Sequence, residues 1–162
     1  MDFEALVERF RTLGARDPES WARSQVEEGI PQLARFVFLK GAWDNVHADG
    51  DVEWIDRLLE ATAPDADGPF DGVAHAIRRL DATGADRHDI AELYRNAQVQ
   101  MMFDLCYLLS DPGVVHDRGD VDWQLMRVDV GGVAVEPMDG LHESVLETDP
   151  SGREMRPRPM DG

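Results

Sequence analysis

The chain is short of basic residues, lysine above all, and of cysteine. The first shortage argues against binding to polyanions, and the second against sites and cross-links built from several thiols. Lys40 is the only lysine among 16 basic residues, which stand against 33 acidic ones, so the formal net charge is −17. An excess of negative charge repels phosphate backbones and anionic lipid surfaces. We therefore expect no direct nucleic-acid binding and no membrane binding. The single cysteine, Cys106, excludes an internal disulfide and a zinc site built on several thiolates.

Long apolar runs and motifs of known chemistry are also missing. No stretch has the length of a membrane span, and the N-terminus lacks the basic and then apolar pattern of a signal peptide, so we expect a cytoplasmic protein. The sequence contains no glycine-rich phosphate loop, dinucleotide fingerprint, Gly-x-Ser-x-Gly elbow or His-Glu-x-x-His pair. We expect no cofactor and no metal, and the sequence favours a role without catalysis.

Helical periodicity is the main signal that the sequence does carry. Apolar residues recur at spacings of three and four between capping residues in six segments. The predicted helices cover residues 2–13, 18–28, 31–46, 52–61, 70–82 and 87–109. The fifth is expected to turn Phe70 inward with the other apolar residues of its face. The sixth is apolar nearly all round in its second half, so we expect it to form the core with the third.

After Gly113 the apolar residues change to a period of two. They alternate with polar residues from 126 to 130 and from 133 to 135, with Gly131-Gly132 between. This pattern predicts a β-hairpin within 121–137 that has a two-residue loop. The expected pairs are Val130 with Val133, Val128 with Val135, and Met126 with Pro137. Because a lone hairpin is marginal in water, its apolar face over 126–135 should pack on the helices or on a second copy of the chain, as in a homo-oligomer.

These patterns together predict a mainly α (α+β) fold. We expect one compact helical domain of about six helices with a C-terminal hairpin, spanning residues 1–149. The tail over 150–162 is basic, with three arginines after residue 152, and we expect it to be flexible. The alternative is that it docks on the acidic body as a basic strap.

Acidic residues are densest between Asp44 and Asp71, where nine acids accompany one arginine. The part from Asn45 to Asp56 has the outline of a calcium loop, but Asn and His stand at its first and third ligand positions, so we expect no metal there. Acids around exposed aromatic rings would suit a docking surface for a basic protein. The alternative is a solvated face with both tryptophans in the core. The predicted partner-binding residues are Trp43, Asp49, Asp51, Glu53, Trp54, Asp56, Asp65 and Asp67.

A second candidate site follows from Asp104, which interrupts the apolar half of the sixth helix. It shares a polar stripe with residues before and after it at helical spacing. Such a stripe faces water, or it lines a pocket in which the carboxylate is desolvated. The residues of this pocket would be Asn96, Gln100, Asp104, Tyr107 and His142.

Two functional hypotheses remain. The leading one is a non-catalytic protein–protein interaction module, of inhibitor, immunity or regulatory type, that binds a basic protein partner through the acidic segment. The alternative is a small enzyme or ligand-binding protein that uses the pocket along Asp104. A net charge of −17 also arises in salt-adapted or high-GC proteomes whatever the function, and charge alone does not separate these origins.

Overall fold

A computed structural model describes residues 2–115 and 119–158. It confirms the predicted fold class, because six helices precede a two-stranded antiparallel hairpin. The helices are α1 (Phe3–Leu13), α2 (Pro18–Glu28), α3 (Gln32–Trp43), α4 (Glu53–Ala61), α5 (Gly72–Ala82) and α6 (Arg87–Ser110). The strands are β1 (Met126–Val128) and β2 (Ala134–Pro137), with 3₁₀ turns at Pro112–Val114 and Leu141–Ser144.

The first helix begins at a side-chain cap and ends at a left-handed glycine, at the positions that the sequence predicts. The Asp2 carboxylate accepts a hydrogen bond from the Ala5 amide at 2.8 Å and caps α1. Gly14 follows α1 with a φ of 89°, which glycine adopts without strain. In contrast, α3 ends at Trp43 and not near residue 46. The Asn45 amide donates to the Ala42 carbonyl at 3.1 Å, a bond that tightens the last turn and stops the helix.

The chain divides into two compact units. Unit 1 contains residues 1–45 and 101–162, and unit 2 contains residues 46–100. The long helix α6 contributes its first part to unit 2 and its last part to unit 1. The prediction of one domain over 1–149 stays a prediction.

An aromatic cluster forms the core of unit 1. The rings of Phe10, Trp21 and Phe36 lie 5.2–5.9 Å apart between centroids, and two of the three contacts are edge-on. All three rings are buried, together with Leu6 and Val7. Edge-on aromatic pairs contribute about 0.5–1.5 kcal/mol beyond their buried area. This cluster joins α1, α2 and α3.

Within unit 1, polar atoms of two α3 side chains bind the segment that follows the hairpin. The buried Arg35 donates to the Gly140 carbonyl and, at 3.0 Å, to the Ser144 hydroxyl. The indole N–H of Trp43 donates to the Val145 carbonyl at 3.0 Å. Both α3 side chains therefore have structural partners within the same unit.

A smaller core of one tryptophan and three isoleucines holds unit 2 together. Trp54 and Ile55 of α4 pack with Ile77 of α5 and Ile90 of α6, and all four are buried. The Arg78 guanidinium also donates to carbonyls at the end of α4 and in the residue that follows it. This core joins α4, α5 and the first part of α6, whereas Leu80 and Leu93 stay exposed.

The second half of α6 is less buried than its composition predicts. Met102 and Cys106 are buried, and burial raises the pKa of the Cys106 thiol to about 11. Met101 and Leu105, one turn apart on another face, are 60% and 48% exposed. The prediction that this helix is buried on all sides is wrong, since one buried stripe is sufficient to anchor a helix. Among the described residues, no helix has both the length and the apolar character that crossing a membrane requires.

The hairpin has its predicted outer register and a different turn. Met126 lies opposite Pro137 as expected, but Val128 lies opposite Ala134 and not Val135, because the register shifts after Arg127. The predicted pairing of Val130 with Val133 is also wrong. The Asp129 amide donates to the Val133 carbonyl at 2.9 Å, which leaves a three-residue loop.

The side chain of Asp129 explains the longer loop. Its carboxylate accepts hydrogen bonds from the amides of Gly131, at 2.8 Å, and Val133, at 3.0 Å. Gly132 takes a φ of 80°, as glycine does at the end of three-residue hairpin loops. The hairpin valines are 49–112% exposed, so their apolar face does not lie on the helices. Association of two copies through 126–135 stays a prediction.

Candidate docking surface on the acidic segment

The predicted docking residues fall into both units. Trp43 belongs to unit 1, whereas the others belong to unit 2. Both tryptophans are 4% exposed. Trp54 stacks on His47 with 4.8 Å between ring centroids, and on Tyr94 with 4.6 Å. Both rings therefore lie in the core, as the alternative has it, and the expectation that they are exposed to a partner is wrong. Partner binding by the acids of this segment stays a prediction.

The acids at the start of α4 are used within unit 2. The Asp51 carboxylate accepts from the Glu53 amide at 2.8 Å and from the Arg57 guanidinium at 3.0 Å. Burial acts to raise the pKa of Asp51, but these hydrogen bonds outweigh it, and the pKa lies below its usual value. Arg57 also pairs with Glu53 at 3.4 Å. Two of the predicted docking acids thus share an internal cation.

Arg87 neutralises a second pair of acids. Its guanidinium lies 2.6 Å from the Asp56 carboxylate and 2.7 Å from that of Asp81. The hydrogen bond from Arg87 holds the pKa of Asp81 below its usual value. Asp56, predicted to face a partner, therefore already has a charged neighbour on α6.

The loop before α4 is attached to α6 by a buried arginine. Arg95 is 2% exposed, donates to the His47 carbonyl and lies 3.8 Å from the Asp49 carboxylate. The pKa of His47 is lowered, chiefly by burial and to a smaller extent by Arg57, while Asp51 opposes the shift. A neutral imidazole suits its stacked position on Trp54.

The remaining acids of this segment in unit 2 lie at the end of α4 and in the loop over residues 62–71. Glu60, Asp65 and Asp67 are exposed, and within the described residues they form no ion pair. Two of the three are predicted docking residues. They mark the part of the acidic segment whose charge is not balanced inside the unit.

Hydrogen bonds hold this loop in one conformation. The Asp71 carboxylate accepts from the Gly68 amide at 2.7 Å, and the His75 ring lies 2.7 Å from the Ala66 carbonyl. Arg78 of α5 donates to the Thr62 carbonyl. Arg78 and His75 of α5 thus hold the beginning and the middle of the loop, and the bond between Gly68 and Asp71 closes the turn before α5.

Sequence reasoning missed Phe70 as a surface residue. We expected it on the inner face of the fifth helix, but α5 begins at Gly72 and the Phe70 side chain is 90% exposed. Its φ of 73° lies in the left-handed region, which costs a residue with a Cβ about 1–2 kcal/mol. The signal was present in Gly68-Pro69-Phe70-Asp71-Gly72, since two glycines around a proline indicate a turn.

The residues of the alternative pocket are only partly brought together. Tyr107 and His142, both in unit 1, have ring centroids 4.3 Å apart. Asp104 is exposed, so the expectation of a desolvated carboxylate is wrong. Asn96 and Gln100 are exposed on the part of α6 that belongs to unit 2.

A second group of acids, in unit 1, has a structural role. The Asp149 carboxylate is 2% exposed and accepts from the Ser151 amide at 3.0 Å, the Ser151 hydroxyl at 2.8 Å and the Glu154 amide at 3.0 Å. Arg16 donates to the Glu147 and Gly152 carbonyls at 2.7 and 3.2 Å and pairs with Glu154 at 3.0 Å. In this contact the cation belongs to the body and the anion to the tail, the reverse of a basic strap.

The described residues contain no group that could bind a metal ion, and comparisons with known proteins found no relative. Over residues 2–115 and 119–158, no three His, Cys, Asp or Glu side chains meet in a group that could hold a metal ion. Comparisons with protein families, curated proteins and solved structures gave no match. Inference about function therefore starts from the chain's own surface.

Proposed function

We propose that this protein is a non-catalytic interaction module, of inhibitor, immunity or regulatory type, that binds a basic protein partner. Its docking surface consists of Glu60 and the loop over residues 62–71. The observation that carries the proposal is the contrast within unit 2. Arginines neutralise the acids around α4, whereas Glu60, Asp65 and Asp67 are exposed without an ion pair in the described part of the chain.

The physical advantage of such acids lies in the association step. Opposite charges on two proteins steer diffusional encounter and suppress partners of like charge. An acid that already pairs with an arginine has much of its charge compensated, so it attracts a second cation less strongly. Asp65 and Asp67 have no such compensation among the described residues, and their loop is held by hydrogen bonds to α5. The surface therefore carries uncompensated negative charge on an ordered loop, which favours binding of lysine or arginine side chains.

The test is a charge reversal that spares the internal ion pairs. Glu60→Lys, Asp65→Lys and Asp67→Lys are combined in one variant. The matched control combines Glu4→Lys, Glu27→Lys and Glu28→Lys, which changes the net charge equally at exposed positions of unit 1. Wild type and both variants are used to capture proteins from the source organism's lysate at low and high salt. The captured protein is identified, purified and titrated against each chain.

We expect wild type and the control to bind the same basic protein at low salt and to release it at high salt, because salt screens opposite charges. The docking-surface variant should lose this binding while its circular dichroism spectrum stays unchanged. Equal binding by the two variants would contradict the proposal. So would capture that salt does not weaken.

A further inference from the structure

The docking surface is not only acidic, because its loop also exposes apolar side chains. Ala63, Pro64, Pro69 and Phe70 are all exposed. At 90% exposure, Phe70 is the most exposed aromatic side chain in the described part of the chain. Pro69 and Phe70 are adjacent in the chain, and exposed apolar surface that is rimmed by polar residues is typical of protein interaction sites.

The backbone around Phe70 is fixed before any partner arrives. The Asp71 amide donates to the Gly68 carbonyl at 3.3 Å, and the Val73 amide donates to the Phe70 carbonyl at 3.2 Å. The Asp71 carboxylate also accepts from the Gly68 amide. A residue held in place in this way loses little backbone freedom on binding.

The acids and the ring occupy the same short segment. Asp65 and Asp67 lie within five residues of Phe70 and have no ion pair among the described residues. Interfaces commonly combine a central aromatic side chain, which supplies most of the affinity, with a charged rim, which supplies specificity. The loop has both parts.

We propose that Phe70 is the apolar anchor of the docking surface and that its occupant is a basic segment with apolar side chains between its arginines or lysines. This inference rests on the proposed function and specifies the partner's chemistry. A purely cationic segment could only stack an arginine or lysine on the Phe70 ring and would bury less apolar area there than a leucine does. A purely apolar one would desolvate Asp65 and Asp67 without a counter-charge, which is unfavourable.

The test uses two synthetic peptides of equal length and equal arginine content. One carries leucines between the arginines, and the other carries serines at the same positions. Each peptide is titrated by calorimetry against the full chain as wild type, Phe70→Ala and Phe70→Asn. Asparagine removes the ring but tolerates the left-handed backbone, so it separates loss of the ring from a change of the loop. The control is Leu93→Ala, which removes another exposed apolar side chain of unit 2.

We expect both Phe70 variants to bind the leucine peptide about tenfold more weakly, in line with loss of an aromatic anchor. Their affinity for the serine peptide should fall much less, since only arginine stacking on the ring is lost, and Leu93→Ala should change neither affinity. If both Phe70 variants bind the leucine peptide like wild type, the anchor is overturned. It is also overturned if Phe70→Asn binds normally while Phe70→Ala does not, since the ring would then make no contribution.

The Lys variant at Glu60, Asp65 and Asp67 distinguishes failure of the anchor from failure of the proposed function. If this variant loses both peptides while the Phe70 variants keep them, the acidic surface stands and the anchor does not. If it binds both peptides like wild type, the proposed function fails as well. Both results are read in the same titration series.

Discussion

Two acidic turns of the same protein differ in the surroundings of their carboxylates, which are buried and hydrogen-bonded in one turn and exposed to solvent in the other. In unit 1, Asp149 is 2% exposed and accepts three hydrogen bonds from the residues that follow it. In unit 2, Asp65 and Asp67 are exposed and have no ion pair among the described residues. The first carboxylate shapes its own chain, whereas the other two face solvent.

The difference shows what decides the role of an acid in a strongly acidic chain. The net charge counts every carboxylate equally, whereas the hydrogen-bond donors around each carboxylate differ. Backbone amides and a hydroxyl surround Asp149, so its charge is satisfied internally. Only acids without such donors remain available to a partner. The contrast can be tested by substitutions whose effects on stability should differ in size.

The largest effect on stability is expected at Asp149. Asp149→Ala removes a buried carboxylate that accepts at least three hydrogen bonds, so the free energy of unfolding should fall by about 2–3 kcal/mol. Urea denaturation measures this change, and limited proteolysis should detect earlier cleavage after residue 150. Asp149→Asn keeps an acceptor oxygen and should lose less. Unchanged stability of the alanine variant would remove the contrast between the two turns.

A smaller effect is expected at Trp43. Trp43→Phe keeps a buried ring but removes the N–H that donates to Val145 and to the Thr148 hydroxyl. The free energy of unfolding should fall by about 1–2 kcal/mol, since the buried Val145 carbonyl and the partly buried Thr148 hydroxyl lose a donor. The same urea series gives this value. A variant as stable as wild type would show that the indole does not hold the segment after the hairpin.

The pH dependence of unit 2 should follow His47. Burial lowers its pKa in the folded chain, so below the usual histidine pKa of about 6.5 the unfolded chain binds the proton first. Stability is lost as pH falls through that range, by at most about 1.4 kcal/mol per pH unit for one proton. His47→Gln should flatten this part of the curve, whereas His88→Gln, at an exposed position, should not. Parallel curves for wild type and His47→Gln would contradict this assignment.

The smallest effect on stability belongs to the docking surface. Reversal of Glu60, Asp65 and Asp67 to lysine should change the free energy of unfolding by less than about 0.5 kcal/mol, because no internal ion pair of the described residues is broken. Thermal unfolding of this variant beside wild type measures the change. A loss comparable to that of Asp149→Ala would give these acids a structural role as well.

The sequence predicted the helices well and the surface less well, for physical reasons. Helical period and caps are local properties, so the bounds of α2 and α6 agree with prediction within a residue or two. The start of α5 was predicted two residues too early, because periodicity admitted Phe70 to the helix face. The inner register of the hairpin depends on the Asp129 side chain, and a pattern of valines does not contain that information.

Prediction of the site failed where it required knowledge of burial. The docking hypothesis placed Trp43 and Trp54 at the surface because acids surround them in sequence, and the alternative placed them in the core; each ring has packing partners that only the fold supplies. Phe70 was expected inside and lies outside. Of the acids, Asp65 and Asp67 keep their predicted exposure, whereas Asp51 and Asp56 pair with arginines six and thirty-one residues further along the chain.

Hydrogen exchange with and without the captured basic partner tests the central claim most directly, because it reports on both acidic turns in one experiment. The amides of residues 60–73 should gain protection in the complex, since the partner covers the docking surface. The amides of Ser151 and Glu154 should exchange equally in both states, because the Asp149 carboxylate already accepts their hydrogen bonds. Added protection at 149–154, or none at 60–73, would contradict the account.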